Sequence, residues 1–173
     1  MKLATYVYKK LFKKNPPYWY QKGFLSLVAG VIRKWLTNSI ASNCPINCIR
    51  IFLYRLSGFK IGKRTFIGMH CYLDDLCYKM LTIGDHVTIS YGVYFACHGR
   101  NQPDYPIRVE DHAYIGMRAS IISKNADGSD RGVTIGKRAV VGSCTLVNRD
   151  VPERARAVGV PCRILEDKDP SNG

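Results

Sequence analysis

A single histidine ends an apolar run in Tyr91-Gly-Val-Tyr-Phe-Ala-Cys-His98-Gly99-Arg100-Asn101. An imidazole titrates near neutrality, so it can take a proton from a hydroxyl, or return one, under physiological conditions. Placed where a strand gives way to a loop, His98 is a candidate general base, and it is equally a solvated polar end to a strand. Asp74 and Asp75 are the first acidic residues in the chain. Side by side after Leu73, they suit either a local polar site or a turn held by Asx hydrogen bonds. The seven cysteines are odd in number and contain no Cys-x-x-Cys pair. That pattern supports neither a metal site nor a disulfide framework, and free thiols suit a reducing cytosol. Cys44 and Cys48, the one close pair, read as structural.

The elements that must position these groups show themselves as a change of period near residue 60. From there the chain reads in hexads: Ile61-Gly-Lys-Arg-Thr65-Phe66, then Ile67, Ile83, Ile89, Val109, Ile115, Ile135, Val141 and Val147 as successive first positions. The first position is aliphatic, the second is often glycine, and the fifth is small or β-branched (Thr65, Cys71, Val87, Val93, Ala113, Ala119, Ala139, Thr145, Val151). Nine hexads in phase mark a parallel β-helix, three hexads to a triangular coil. First-position aliphatics stack inside and the small fifth residues fill the corners. Cys71 is thereby a small core residue. Coils begin at 61, 83, 109 and 135, so each of the first three holds more than the 18 residues of three bare hexads. The extra residues fall in or just after the third hexad, and loops stacked on one edge of a rigid scaffold can wall a pocket. The reading is an all-β core of about four coils over residues 58–166, with a tail at 167–173.

Residues 1–57 read as a basic, amphipathic, helical extension, broken at Asn15-Pro16-Pro17. The first 73 residues carry 13 Lys and Arg and no Asp or Glu, and the remaining 13 basic residues are matched by 13 acids. The whole formal charge of +13 therefore sits in the N-terminal part, which suits an anionic surface as partner. Dense aromatics (Tyr6, Tyr8, Phe12, Tyr18, Trp19, Tyr20, Phe24, Trp35) suit a membrane interface. A helical cap on the β-helix is the other reading, and the two are compatible. No apolar run reaches the length of a spanning helix, no signal peptide is apparent, and no nucleic-acid-binding signature accompanies the charge.

With the Ile-Gly hexads, the Cys97-His98-Gly99 segment and Gly159-Val-Pro-Cys-Arg163 in view, the chain resembles the hexapeptide-repeat acyltransferases, in particular the galactoside and maltose acetyltransferases and the O-acetyltransferases of surface polysaccharides. The resemblance covers about residues 61–166. It implies a left-handed β-helix, a homotrimer, acetyl-CoA as donor and no metal. It makes His98 the general base at a subunit interface, accepting the proton of a saccharide hydroxyl as that hydroxyl attacks the thioester. Carried over by motif, Met117, Ser143, Asn148, Arg149 and Arg163 would contact acetyl-CoA, and Asp74 and Asp75 the acceptor. Met117 and Glu166 depart from the family pattern, which usually has a small polar residue and a basic one there.

The expectation is an acetyl-CoA-dependent O-acetyltransferase of surface polysaccharide or lipopolysaccharide synthesis. It would be cytoplasmic and peripheral on the inner membrane face, acting on an acceptor that can be lipid-linked. An N-acetyltransferase of an amino sugar, or an antibiotic-directed one, is the alternative on the same scaffold. A zinc-dependent carbonic anhydrase-like protein is a remoter one, since it needs three converging histidines. A non-enzymatic binder of nucleic acid rests on the charge alone.

Overall fold

The computed structural model describes residues 10–11, 24–98, 104–123 and 131–165. Most of the segment before Phe24, together with Gly99, Arg100, the two loop tips and the tail with Glu166, lies outside the described residues. Helix α1 (Phe24–Trp35) runs into a π-helical turn (Leu36–Ala41) and is followed by α2 (Asn47–Leu56). Among the described residues, thirteen short strands then wind into three sheets.

The first sheet stacks β1 (Lys60–Ile61), β3 (Leu81–Ile83), β6 (Ile107–Val109) and β9 (Val133–Ile135). The second stacks β2 (Phe66–Ile67), β4 (Thr88–Ile89), β7 (Tyr114–Ile115), β10 (Val140–Val141) and β12 (Arg156–Val158), closed by β13 (Arg163–Leu165). The third stacks β5 (Tyr94–Ala96), β8 (Ser120–Ile122) and β11 (Leu146–Val147), with Tyr72 bridged to Tyr94 above them. Every pairing is parallel except that of β12 with β13. The register keeps like hexad positions above one another. Ile67, Ile89, Ile115 and Val141 form one inward column, each 0% exposed. Each such side chain contributes about 1.5–3 kcal/mol when fully buried.

The other hexad positions have equally local causes. The second is glycine because the next coil lies against it: a Cβ on Gly116 would fall 2.6 Å from the Ser143 nitrogen and 2.8 Å from the Gly142 carbonyl carbon. The fourth turns the corner in the left-handed region. Arg64, His70, His86, His112, Arg118, Arg138, Cys144 and Arg154 all have φ between 52° and 61°.

The helices close the first coil. Arg50, 1% exposed, donates through Nε to Ile67 O at 2.6 Å, and also to Cys44 O and to Asn47 Oδ1. Asn47 spans the same edge, its Nδ2 donating to Thr65 O and its Oδ1 accepting from the Ile67 amide. Arg55 donates to Ile61 O and Gly62 O. Arg33 on α1 donates to Ser57 O and lies 3.8 Å over the Tyr78 ring. Among the described residues, no helix is long and apolar enough to cross a membrane.

Candidate active site

All three insertions leave the third sheet and return to the first, so they emerge at one corner of the prism: residues 73–80, 97–106 and 123–132. Asp74 opens the first insertion and His98 the second, one coil apart. The register pairing Tyr72 with Tyr94 sets them side by side.

The Asp74 carboxylate is 0% exposed. Its Oδ1 accepts from the amides of Leu76 and Cys77 at 3.2 and 3.3 Å. Its Oδ2 accepts from the amides of Cys97 and His98 at 2.8 and 3.1 Å, and lies 2.5 Å from His98 Nδ1. Four N–H donors on the two oxygens call for a carboxylate, and a carboxylate facing the ring makes Nδ1 the protonated nitrogen. The His98 Nε2 lone pair is thereby left for a substrate proton, on a side chain that is 37% exposed. The arrangement has the geometry of the orienter–base half of a catalytic triad.

Asp74 makes the turn held by Asx hydrogen bonds that the sequence allows, through the Leu76 and Cys77 amides, and its other oxygen faces His98. Asp74 has no open face toward an acceptor, because its oxygens are filled by His98 and the surrounding amides. Asp75 is 5% exposed and accepts from Asn38 Nδ2 and the Tyr72 hydroxyl, tying the π turn to this corner. Both of these bonds fall on Asp75 Oδ1. Burial, followed by the charges of Asp74 and Asp75, holds the Tyr72 phenol well above its ordinary range.

Four of the five residues carried over for acetyl-CoA divide between two corners. Asn148 and Arg149 follow β11 on the same corner as His98, and Arg149 is exposed. Met117, 54% exposed, and Ser143 sit one above the other where the second sheet turns into the third. Arg163 is exposed on β13. A single protomer does not bring Met117 and Ser143 to His98.

Two groups at this corner were not singled out from sequence. Ser123 is 0% exposed and its hydroxyl has no partner, while its amide donates to Ala96 O beside the strand that leads to His98. A serine ending Ile121-Ile122-Ser123 was the available signal. Cys77 lies with Asp74 and His98 such that one ligand atom of each falls within 4.8 Å of the others. Burial and a hydrogen bond with Asp104 raise its thiol far above the ordinary range, so it stays protonated, and the Asp74 oxygen is already filled. The trio reads as the dyad plus a neutral thiol. The remaining histidines do not converge on His98: His86 stacks on His112 at 4.7 Å where the first sheet turns into the second, and His70 packs on Tyr91.

Fold and site together match an acyl-transfer scaffold that sets a histidine beside a buried carboxylate. A family model described as the hexapeptide repeat of succinyl-transferase matches residues 106–148. A serine acetyltransferase of Bacillus licheniformis is 32% identical over 110 residues, covering 62% of this chain and 45% of that protein. The galactoside O-acetyltransferase of Escherichia coli is 29% identical over 126 residues, 63% of this chain and 57% of its own. The chain thus spans about half the length of these two relatives. A hexapeptide-repeat-containing acetyltransferase of Vibrio cholerae, solved with acetyl-CoA, superposes with a TM-score of 0.65 at 26% identity over 93% of this chain and 98% of that one. The chain carries the hexapeptide repeat over residues 106–148 and is similar in sequence and fold to hexapeptide-repeat acetyltransferases, one of them solved with acetyl-CoA.

Proposed function

We propose that the protein transfers the acetyl group of acetyl-CoA to a hydroxyl of a saccharide, with His98 as general base. The observation that carries this reading is the Asp74–His98 pair, in which Nδ1 meets the carboxylate and Nε2 is left outside that bond on a side chain that is 37% exposed. Nε2 takes the acceptor's hydroxyl proton as its oxygen attacks the thioester carbonyl. The tetrahedral oxyanion collapses with loss of the CoA sulfur, and the imidazolium returns the proton to that sulfur. Both substrates are present at once, so no acyl-enzyme forms.

The division of Met117 and Ser143 from His98 supports a homotrimer in which one protomer's second-to-third-sheet corner faces its neighbour's His98. The saccharide class comes from the likeness to the galactoside enzyme. Surface polysaccharide or lipopolysaccharide is the substrate reading, with the acceptor carried on lipid and the enzyme peripheral at an anionic membrane.

The test is release of CoA by the purified protein, offered galactosides, maltose, amino sugars and free serine. A saccharide hydroxyl should serve best, and His98→Ala should lower turnover about 10²–10⁴-fold with an unchanged melting temperature. Full activity in that variant sinks the mechanism, and turnover of serine alone moves the acceptor to an amino acid.

A further inference from the structure

Among the described residues, eight large apolar side chains on α1, on α2 and just before α2 stand in solvent, and acetyl transfer uses none of them. On α1, Val28, Val31, Ile32 and Trp35 are 39%, 70%, 56% and 61% exposed. Their spacing is i, i+3, i+4, i+7, which is one continuous face of a helix. It points away from the body, because Arg33 reaches back to Ser57 O and the Tyr78 ring. Before and along α2, Ile46, Ile49, Phe52 and Leu56 are 52%, 44%, 62% and 65% exposed, whereas Arg50, Ile51 and Tyr54 hold the opposite face on the coils.

The charge around these stripes selects what covers them. Lys34, Arg55 and Lys60 are exposed beside them, and the first 73 residues hold 13 basic side chains and no acid. A second copy of the chain is a poor occupant, since the contact would set two such basic segments against each other. An anionic bilayer meets both demands at once. Apolar side chains enter the boundary of the acyl region while Lys and Arg stay among the headgroup phosphates. The stripes run along the outside of two short helices, a form that lies in an interface rather than spanning it.

We propose that the face formed by Val28, Val31, Ile32 and Trp35 of α1, with Ile49 and Phe52 of α2, docks on an anionic phospholipid bilayer. This deepens the membrane placement given above by naming the face and the lipid charge it requires, and it is independent of which acceptor the enzyme uses. The site at the third-sheet corner then works beside the membrane, where a lipid-borne acceptor would be within reach.

The test is flotation of the full chain with vesicles of phosphatidylcholine, with and without phosphatidylglycerol. The wild type should float with the anionic vesicles at low salt, less at high salt, and not with the neutral ones. Val31→Ser/Phe52→Ser should weaken vesicle binding at least about 10-fold while CoA release with a water-soluble acceptor stays unchanged. Lys34→Glu, which removes no apolar group, should weaken binding through charge alone. The proposal is overturned if the wild type ignores vesicle charge, or if both variants float as the wild type does. It is also overturned if sedimentation shows the wild type self-associating through this face and the double variant dissociated. Retention of a duplex oligonucleotide without vesicle binding would assign the charge to nucleic acid instead. Because CoA release is measured separately, failure here leaves the acetyl-transfer reading standing.

Discussion

Asp74 Oδ2 lies 2.5 Å from His98 Nδ1 although 24 residues separate the two. They meet because each leaves the third sheet at the same corner, on successive coils. A β-helix turns sequence separation of one coil into vertical contact. Breaking the repeat at one corner in adjacent coils is therefore enough to place two chosen side chains together on a rigid frame.

Asp74→Asn should lower kcat by about 10²–10⁴-fold, the scale seen when a histidine base loses the carboxylate that sets its tautomer. KM for the acceptor should move little, whereas a residue that binds the acceptor would raise it. The variant should also lose about 1–3 kcal/mol of stability. Each Asp74 oxygen faces at least two N–H donors, so either amide orientation sets an NH₂ against them. Steady-state kinetics with urea unfolding of the same sample separates the two effects.

Gly116→Ala should destabilise the fold by about 1–3 kcal/mol, the cost of overpacking a tight site. The added methyl would meet backbone of the next coil, at Ser143 and Gly142, and not a flexible side chain that could move aside. The urea midpoint should fall while the slope of the transition stays the same.

Those glycines also show why so much of the fold could be read from the sequence. Each hexad position reports a local packing event: an inward aliphatic, a glycine under the next coil, a left-handed corner, a small fifth residue. The first positions at 61, 83, 109 and 135 all fall in strands of the first sheet. The rung at Arg156–Val158 escaped because Ala155-Arg156-Ala157-Val158 lacks the Ile-Gly signature, although its backbone pairs as the others do. His98 counts as a fourth-position residue like His70, His86 and His112, yet only those three adopt the left-handed turn. Asp74 read as an Asx turn or an acceptor contact and not as the partner of His98, because that partner lies in another coil, inside insertions where the repeat no longer carries the register. Ser123 stayed hidden for the same reason.

Alkaline pH should weaken the fold through its buried thiols. Burial, then the charge of Asp74, pushes the Cys97 thiol from 9.0 up to about 12. Burial likewise raises Cys71 and Cys162. Between those limits the unfolded chain releases a proton that the folded chain keeps, so stability is full below about pH 9 and falls as pH rises. For the Cys97 thiol the slope is about 1.4 kcal/mol per pH unit. Urea unfolding from pH 7 to 10.5 should show the fall, and Cys97→Ala should flatten it by one thiol's share. At pH 8, iodoacetamide should label the exposed Cys48 and Cys144 and spare Cys97.

Arg50→Met should cost about 2–4 kcal/mol, since the carbonyls of Ile67 and Cys44 lose a charged donor in a buried place. The loss should be local first. Amide exchange should rise along α2 and β2 while the rungs from β7 onward stay protected.

The same arginine bears on why the stack of coils stops at its first rung. A stack of parallel coils has no natural limit, because its first and last rungs present open hydrogen-bonding edges to any further strand. Here Arg50, Asn47 and Arg55 occupy the carbonyls and amide of the leading edge, and β13 folds back antiparallel over β12 at the trailing end. The coils are thereby kept from joining end to end into a fibre, and a structure built like a segment of filament is held as a discrete molecule.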